Sequence, residues 1–186
     1  MTKEKKIIAL VGMAGSGKTE AIKYLQKTFS WPKIYLGKYT FERIKKDGLE
    51  TNYQNEKLIR EKIRSELGMG AYAKLALPEL KELLKDNDTV LIESLYSWKE
   101  YRILKKEFGH TFRVMAVHAS PKIRFERLTK RIKERPMSSH EEFVERDYSE
   151  IENTDKGGPI ARADYHIINE GGIDEMKKNI NALNLK

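Results

Sequence analysis

The sequence predicts an α/β fold: a three-layer sandwich in which a five-stranded parallel sheet lies between two layers of helices. Short apolar runs alternate with longer amphipathic stretches along the chain, which is the pattern of strand–helix–strand units. The first run, Ile7–Val11, is continuously apolar, as a strand covered on both faces should be. No internal repeat or flexible linker divides the 186 residues, so one domain is expected over 1–186.

The other elements follow from the same two periodicities. Further strands are predicted, in chain order, over Ile34–Leu36, Thr89–Glu93, Arg113–His118 and Tyr165–Ile168. Apolar residues at helical spacing predict helices over Lys18–Phe29, Gln54–Leu67, Ala71–Lys85, Trp98–Phe108, Lys122–Arg131, Glu141–Ile151 and Asp174–Leu183. Pro78 is expected to kink or divide the third of these helices, because proline removes an internal hydrogen bond.

Composition narrows the class of protein. The 36 Lys and Arg exceed the 28 Asp and Glu, and this net charge of +8 indicates an anionic partner: nucleic acid, a membrane surface or a phosphorylated small molecule. No run approaches the roughly 20 apolar residues that span a bilayer, so we expect a cytoplasmic protein without a membrane partner. The absence of cysteine excludes disulfides, thiolate metal sites and a cysteine nucleophile. The sequence carries no signal for an oligomeric state.

A glycine-rich segment leaves the first strand and opens the first helix. It matches the P-loop pattern G-x-x-x-x-G-K-[ST] at every fixed position, through Gly12, Met13, Ala14, Gly15, Ser16, Gly17, Lys18 and Thr19. Its glycines let backbone N–H groups approach phosphate oxygens, and the helix adds its positive N-terminal end. Lys18 is expected to contact the β- and γ-phosphates and Thr19 to bind Mg²⁺. The alternative, a glycine-rich turn with a surface lysine, does not explain this placement between strand and helix.

Two further features bear on what is done with the triphosphate. Glu93 ends a buried strand, where P-loop proteins carry an acid near the Mg²⁺; a strand-end acid facing water is the alternative. Arginines spaced three, four and four apart would share one side of a continuing helix: Arg124, Arg127, Arg131 and Arg135. Guanidinium groups suit bidentate phosphate contacts, so at least one is predicted to clamp phosphate from a lid, with a solvated basic face as the alternative.

These segments resemble a known family. Residues 119–131, ASPKIRFERLTKR, resemble the start of the lid in dephospho-CoA kinases and adenylate-kinase-related proteins. Residues 163–172, ADYHIINEGG, resemble the last strand and adenine-side loop of dephospho-CoA kinases. With the P-loop, the chain resembles the P-loop nucleoside monophosphate kinase and dephospho-CoA kinase-like family. The resemblance implies sheet order 2-3-1-4-5, an acceptor-binding helical region over 37–87, a lid over 121–152, and ATP as the nucleotide.

The resemblance also implies roles for individual residues. The transferred phosphoryl group would be held by Lys18, with lid contacts from Arg127 and Arg131 and a further candidate in Arg146. Asn169 and Gly171 would lie beside the adenine ring. Acceptor binding would fall to Arg60, Arg64 and Tyr96, although a solvated face explains the two arginines equally well. Two departures matter: Lys38 stands where related kinases place an aspartate, and Tyr96 stands near an expected arginine. They weaken a hydroxyl acceptor such as dephospho-CoA more than a phosphate acceptor.

We therefore expect an ATP- and Mg²⁺-dependent kinase that transfers a γ-phosphoryl group to a small nucleotide-like acceptor, a nucleoside monophosphate or dephospho-CoA. Two alternatives stay open. A nucleic-acid-associated P-loop ATPase or polynucleotide kinase would use the basic surface as a strand-binding groove, although no basic–aromatic stacking motif supports this. A non-catalytic nucleotide-binding module is favoured by the lysine at position 38.

Overall fold

The sheet of this protein contains five strands, which in chain order are β1 (Lys6–Val11), β2 (Lys33–Tyr35), β3 (Thr89–Glu93), β4 (Phe112–His118) and β5 (Tyr165–Ile168). The computed structural model describes residues 4–131 and 137–185. The strand order is β2-β3-β1-β4-β5, and each adjacent pair is parallel. The predicted fold class and sheet order are confirmed.

Helices connect the strands and cover both faces of the sheet. They are α1 (Lys18–Phe29), α2 (Lys38–Lys46), α3 (Tyr53–Leu67), α4 (Ala71–Asp86), α5 (Trp98–Phe108), α6 (Pro121–Thr129), α7 (His140–Glu152), α8 (Gly157–Ala161) and α9 (Ile173–Asn181). A 3-10 turn over Gly109–Thr111 leads into β4. None of these helices within the described residues is both long and apolar enough to cross a membrane.

The alternation of side chains along β1 explains its continuous apolar run. Ile7 and Ala9 pack in a buried cluster with residues of α2, α3, α4 and α5. Ile8 and Leu10 face the opposite side, where α1 and α9 cover the sheet. A parallel strand buried on both faces needs apolar residues at every position, so β1 is the central strand that its sequence predicts.

Of the two outcomes expected at Pro78, division of the helix is wrong: α4 runs as one element from Ala71 to Asp86 with Pro78 inside it. A kink at Pro78 stays a prediction. Proline costs a helix interior about 3 kcal/mol. The buried residues Ala73, Ala76 and Leu80 flank the proline and pack in the core, and this burial of apolar surface offsets the lost hydrogen bond.

Candidate functional site

The P-loop adopts a conformation that its glycines make possible. Gly15 and Gly17 have φ of 80° and 100°, in the left-handed region that side chains disfavour. A Cβ on Gly15 would lie 2.7 Å from the carbonyl oxygen of Arg124, and one on Gly17 would lie 2.3 Å from Nδ2 of Asn169. The loop is thus packed against α6 and against the chain after β5, and larger residues do not fit at these two positions.

Asn169, which follows β5, holds the P-loop through a hydrogen bond to its backbone. Its side chain is 6% exposed, and its Nδ2 donates a hydrogen bond to the carbonyl oxygen of Ser16 at 2.8 Å. Its backbone N–H donates to His118 at the end of β4. The adenine contact implied for Asn169 stays a prediction, whereas the contact in the structure is with the phosphate loop.

One atom of the cradle fits an anionic ligand. Ser16 Oγ is buried and has no hydrogen-bond partner among the described residues. A buried hydroxyl without a partner costs free energy, and a phosphate oxygen would satisfy it. The residues present therefore suit a nucleotide phosphate in this loop.

Lys18 folds back onto the same loop. Its Nζ donates to the carbonyl oxygens of Gly12 at 2.7 Å and Met13 at 3.0 Å. Burial, followed by the positive charge of Lys156, lowers the pKa of Lys18 to about 7. Nearby cations oppose protonation of the ammonium group, whereas a bound polyphosphate is an anion and favours it. Binding of a polyphosphate would therefore raise the pKa of Lys18 again.

The predicted lid residues Arg131 and Arg146 belong to the electrostatic surroundings of Lys18. The positive charge of each acts to lower the pKa of Lys18, while Glu150 acts in the opposite direction. Glu150 is also an ion-pair partner of Arg146, with Oε1 3.5 Å from Nε. These charges act on Lys18 from beyond the end of α6 and from α7, and the phosphate contacts of Arg131 and Arg146 stay predictions.

Lys156 is a member of this group that sequence reasoning missed. Its side chain is 1% exposed, and its Nζ donates to Glu150 Oε2 at 2.6 Å. The ammonium also lies 4.9 Å from the centre of the Tyr96 ring. Tyr96 stands near the position of an expected arginine and carries no charge itself, but the ammonium group of Lys156 lies beside it. No local pattern marks Lys156: Glu150 lies only six residues before it, but at no regular helical spacing, and Tyr96 comes from a distant part of the chain.

Arg124 connects the two predicted lid helices to the P-loop. It is 4% exposed, and its guanidinium donates to Asp147 of α7 at 2.8 and 2.5 Å and to the carbonyl oxygen of Ala14 at 3.2 Å. The same group lies 4.9 Å from the centre of the Phe143 ring. Its donors are engaged by protein atoms, so Arg124 holds the helices α6 and α7 against the P-loop.

The prediction of one arginine stripe along a continuing helix is wrong. α6 ends at Thr129, because the chain turns and the N–H of Met137 donates to Leu128 at 3.3 Å. Met137 and Leu128 are buried together in an apolar cluster with Ala14 and Phe143. Arg131 therefore lies beyond the helix, and Arg135 lies outside the described residues.

Arg127 points to a different partner from Arg124. Its Nη2 donates to the carbonyl oxygen of Gly171 at 2.8 Å, and its Nη1 is buried without a partner in the described part of the chain. The predicted lid arginine and the predicted adenine-side glycine thus meet. Their contacts with nucleotide stay predictions, and the unpaired Nη1 is a donor suited to an oxygen or ring nitrogen of a ligand.

The metal prediction concerns Thr19 and Glu93. Thr19 lies exposed in the first turn of α1, and Glu93 accepts a hydrogen bond from Lys33 at 2.6 Å. Mg²⁺ prefers oxygen ligands and commonly uses one or two protein groups plus substrate phosphates and waters. The Thr19 hydroxyl and the Glu93 carboxylate are oxygen ligands of the kind that Mg²⁺ prefers. Glu93 would then contact both the metal and Lys33. No cluster of three or more metal-ligating His, Cys, Asp or Glu side chains occurs within residues 4–131 and 137–185.

On the predicted acceptor side, Arg60 and Arg64 are half-buried on α3. Arg60 donates to Glu56 at 3.3 Å, and the Arg64 guanidinium lies 5.7 Å from the centre of the Tyr72 ring. Arg64 Nε is buried without a hydrogen-bond partner among the described residues. Arg64 thus retains a buried donor for an acceptor's oxygen, whereas Arg60 is paired on the surface of its own helix, and the acceptor role of both stays a prediction.

Glu100 is a second residue that sequence reasoning missed. It is fully buried at the start of α5, where its Oε2 accepts from the N–H groups of Tyr96 at 2.8 Å and Ser97 at 3.0 Å. Burial raises the pKa of Glu100 to about 7, despite these donors and the charge of Arg64. Its Oε1 has no partner in the described residues. The capping-box pattern Ser97-x-x-Glu100 could have located it.

Lys38 is paired with an acid. It forms an ion pair with Glu79 of α4, which also accepts from the hydroxyl of Tyr39 at 3.2 Å. Burial and the charge of Glu79 raise the pKa of Tyr39. A carboxylate is therefore present beside position 38, supplied by Glu79 of α4 instead of by the residue at position 38 itself.

The fold and the P-loop define the class: a protein with the P-loop kinase-like fold of nucleoside monophosphate kinases. TT1252 from Thermus thermophilus superposes with a TM-score of 0.67 and 17% identity over 97% of both chains. The shikimate kinase of Acinetobacter baumannii, solved in complex with shikimate, gives a TM-score of 0.62 and 21% identity, covering 99% of this chain and 97% of that one. A gluconokinase from Sinorhizobium meliloti gives 0.55 and 15%, covering 98% and 95%.

Sequence comparison gives the family. A family model described as an AAA domain (AAA_18) matches residues 8–155. The UPF0200 protein of Pyrococcus furiosus is 40% identical to this chain over 178 residues, which cover 95% of each sequence. The UPF0200 protein of Pyrococcus abyssi is 38% identical over 178 residues, which cover 95% of this chain and 94% of the relative. The chain belongs to the AAA_18 family and to the UPF0200 proteins. The predicted membership in a P-loop, nucleoside-monophosphate-kinase-like group is confirmed.

Proposed function

We propose that this protein is an ATP-dependent phosphotransferase that moves the γ-phosphoryl group of ATP to a small phosphate-bearing acceptor of the nucleotide class. The observation that carries the proposal is the P-loop between β1 and α1, in which Lys18 Nζ donates to the carbonyl oxygens of Gly12 and Met13 and Ser16 Oγ is buried without a partner among the described residues. The kinase-like fold supports it, since the neighbouring structures include a shikimate kinase and a gluconokinase. A cytoplasmic location belongs to the same proposal.

ATP and Mg²⁺ would be held by the P-loop and its surroundings. The loop N–H groups, Ser16 Oγ and Lys18 would bind the phosphates, and Thr19 and Glu93 would supply oxygen ligands to the metal. Mg²⁺ held there would neutralise part of the charge of the phosphates. Arg127 and Gly171, which are hydrogen-bonded to each other, would lie toward the base.

The cover formed by α6 and α7 would exclude water from the reacting phosphate. Leu128, Met137 and Phe143 form an apolar cluster directly against Ala14 of the P-loop. In the transfer, an oxygen of the acceptor forms a bond to the γ-phosphorus, and the bond to the bridging oxygen breaks with its electron pair leaving on ADP. Exclusion of water favours this acceptor over hydrolysis.

The acceptor would occupy the region over 37–87. Arg64 Nε is a buried donor without a hydrogen-bond partner among the described residues. The charges of Arg64 and Arg60 both act to lower the pKa of the Tyr72 hydroxyl. Two guanidinium groups suit a phosphate on the acceptor. A phosphate acceptor is already nucleophilic and needs no strong general base, which agrees with a lysine, Lys38, at the start of α2 where related kinases place an aspartate. We therefore favour a nucleoside monophosphate over dephospho-CoA.

One observation favours the non-catalytic alternative. The Glu79 carboxylate beside Lys38 is engaged by an ion pair and by the Tyr39 hydroxyl, so Glu79 is poorly placed to activate a hydroxyl acceptor. A nucleotide-binding module would bind ATP without turning it over on any acceptor. Turnover with any phosphate acceptor would exclude that module.

A coupled ADP-release assay with nucleoside monophosphates, dephospho-CoA and nucleosides as acceptors tests the proposal. We expect acceptor-dependent ADP release that is lost in Lys18→Ala. Lys85→Ala is the control, because this lysine is exposed and pairs with Glu82 on α4. Equal activity of the two variants, or ADP release that no acceptor increases, would contradict a phosphotransferase.

A further inference from the structure

Ser94 has a backbone conformation that its residue type disfavours. It follows Glu93 at the end of β3, and its φ of 73° lies in the left-handed region, where a Cβ costs free energy. The other non-glycine residues of the described chain with positive φ are Ser30, Asp155 and Asn184. Those residues are exposed, whereas Ser94 is only 8% exposed. Ser94 is therefore the buried member of this set.

The chain on both sides of Ser94 holds it in this conformation. The carbonyl oxygen of Glu93 accepts from the N–H of Leu36 at 3.1 Å, and the N–H of Leu95 donates to the carbonyl oxygen of Leu10 at 3.4 Å. Leu95 is also 1% exposed and packs in the core. Ser94 is thus fixed between the residue after β2 and the end of β1, which leads directly into the P-loop.

The hydroxyl of Ser94 is not engaged in the same way. Its Oγ forms no hydrogen bond with any residue in the ranges 4–131 and 137–185. Glycine would adopt this φ at no steric cost and would carry no hydroxyl to satisfy. Polar groups on residues buried to this degree usually have a hydrogen-bond partner. No contact within the described chain accounts for a serine here, so a ligand is the partner that remains.

The carboxyl ends of β1 and β3 define a crevice at this position. The two strands are adjacent, but the helices that follow them pack on opposite faces of the sheet, α1 on one and α5 on the other. Open parallel sheets bind their ligands in the crevice that forms where adjacent strands diverge in this way. The P-loop follows β1 and Ser94 follows β3, so the two lie at the same crevice.

The strand order also relates Ser94 to both substrates of the proposed reaction. β3 lies between β1 and β2 in the sheet. The segment after β1 is the P-loop, which would hold the phosphates of ATP, and the segment after β2 leads into the proposed acceptor region over 37–87. The phosphate of the acceptor would have to meet the γ-phosphate between these two segments, which is where β3 ends.

We propose that Ser94 binds the acceptor, by donating a hydrogen bond from its hydroxyl to a phosphate oxygen of a nucleoside monophosphate. This inference rests on the proposed function, since it takes the phosphate of the acceptor as the ligand. As an oxygen of the acceptor forms the bond to the γ-phosphorus and the bond to the bridging oxygen of ADP breaks, Ser94 keeps its proton. The neutral hydroxyl orients the attacking phosphate and leaves its nucleophilic oxygen negatively charged.

Calorimetric titration measures the two affinities that the proposal separates. The first is that of the Mg²⁺ complex of the non-hydrolysable β,γ-imido analogue of ATP for the free protein. The second is that of AMP, CMP, GMP or UMP, each titrated in turn, for the protein saturated with this ATP analogue. Ser94→Gly should weaken binding of the nucleoside monophosphate by about tenfold or more, the loss expected for one hydrogen bond to a charged group. Binding of the ATP analogue should change by less than about threefold.

A second variant separates the hydroxyl from the backbone. Ser94→Ala removes the hydroxyl and keeps the Cβ that a φ of 73° disfavours, whereas Ser94→Gly removes both. Both variants should therefore lose affinity for the nucleoside monophosphate to the same extent, and Ser94→Gly should have the higher melting temperature. If only Ser94→Ala loses this affinity, the position matters for its backbone alone and the inference fails.

Ser30→Gly is the matched control. Ser30 also has a positive φ, 57°, but it is exposed at the end of α1, so its replacement should change neither affinity. If the wild type binds both ligands and Ser94→Gly binds the nucleoside monophosphate as tightly, only this inference fails. An equal loss of both affinities in Ser94→Gly would also overturn it, because Ser94 would then act on the P-loop. If the wild-type protein binds no nucleoside monophosphate, or no ATP analogue, the proposed function itself fails.

Discussion

Glu100 shows how burial sets the chemistry of a single side chain. Two backbone N–H groups and the charges of Arg64 and Lys156 favour its ionised form, yet its pKa is raised to about 7 because water is excluded. The native state therefore holds this proton more tightly than the unfolded chain does, whose value is near 4.5. Stability from this group is present at low pH and is lost as pH rises through the native pKa.

The change Glu100→Gln should remove that dependence. Glutamine keeps the shape and one oxygen acceptor but carries no titrating proton. Between pH 5 and pH 8 the wild-type free energy of unfolding should fall by roughly 2 to 3 kcal/mol more than that of the variant. Urea unfolding of both proteins at the two pH values measures this, and parallel pH profiles would contradict the burial of an ionisable carboxyl here.

Asn169 provides a second test at this scale. Asn169→Ala removes the donor to Ser16 and leaves a buried P-loop carbonyl without its partner, so the free energy of unfolding should fall by about 1–3 kcal/mol. Binding of the ATP analogue should weaken as well, because the loop loses its brace. The control is Asn179→Ala, whose side chain bonds the carbonyl oxygen of Ile168 at an exposed position. A comparable loss in both variants would argue against a special role for Asn169.

Among the elements, α6 and α7 are held together by a buried ion pair. Arg124 is engaged by Asp147 on α7 and by Ala14 of the P-loop, and the side-chain exposures of the arginine and the aspartate are 5% and 14%. The pair therefore couples the position of the cover to the conformation of the phosphate loop. Arg124 therefore has a structural role, whereas its spacing with the other arginines predicted a contact with phosphate.

Breaking this pair should be costly. Asp147→Ala leaves the Arg124 guanidinium buried without its carboxylate, so we expect a loss of about 3–5 kcal/mol. Asp174→Ala breaks an exposed pair with Lys177 and should lower the free energy of unfolding far less, because solvent screens that pair. Chemical unfolding of the two variants measures the difference. A loss in Asp147→Ala no larger than in the control would mean that the cover is not fixed by this pair.

Most elements could be predicted because their apolar residues recur with a clear period. β1, β3 and α5 match their predicted ranges closely, and the P-loop pattern located α1. α2 was missed because only Thr40 and Ile44 are buried on it, and α8 because it is five residues long and contains glycine and proline. The end of α6 could not be predicted, since it depends on burial of Met137 against a distant part of the chain.

At the scale of the whole molecule, the parallel sheet brings the ends of its strands together and places distant residues in one site. The P-loop is a local pattern and could be predicted, whereas the pairing of Lys156 with Glu150 and the burial of Glu100 depend on three-dimensional packing. Lys18, Glu100 and Lys156 are separated by long stretches of sequence. Sequence reasoning therefore located the phosphate loop and only part of its surroundings.

Two cations of the chain are buried in ion pairs: Arg124 with Asp147 and Lys156 with Glu150. Although the net charge is +8, these two cations do not face a strand-binding groove, so we predict only weak binding to nucleic acid. A labelled single-stranded oligonucleotide should bind no more tightly than the non-specific range of about 10⁻⁴–10⁻⁶ M at physiological salt. Fluorescence anisotropy over a salt series measures this. Nanomolar binding with a steep salt dependence would favour the nucleic-acid alternative.

The central claim is that this protein transfers the γ-phosphoryl group of ATP to a phosphate-bearing small molecule. Transfer of ³²P from γ-labelled ATP to each member of a nucleoside monophosphate panel, resolved by thin-layer chromatography, tests it most directly. We predict label in a nucleoside diphosphate with the wild-type protein and with Lys85→Ala, and none with Lys18→Ala. Label that appears only as inorganic phosphate, or equally in the wild type and Lys18→Ala, would contradict the account.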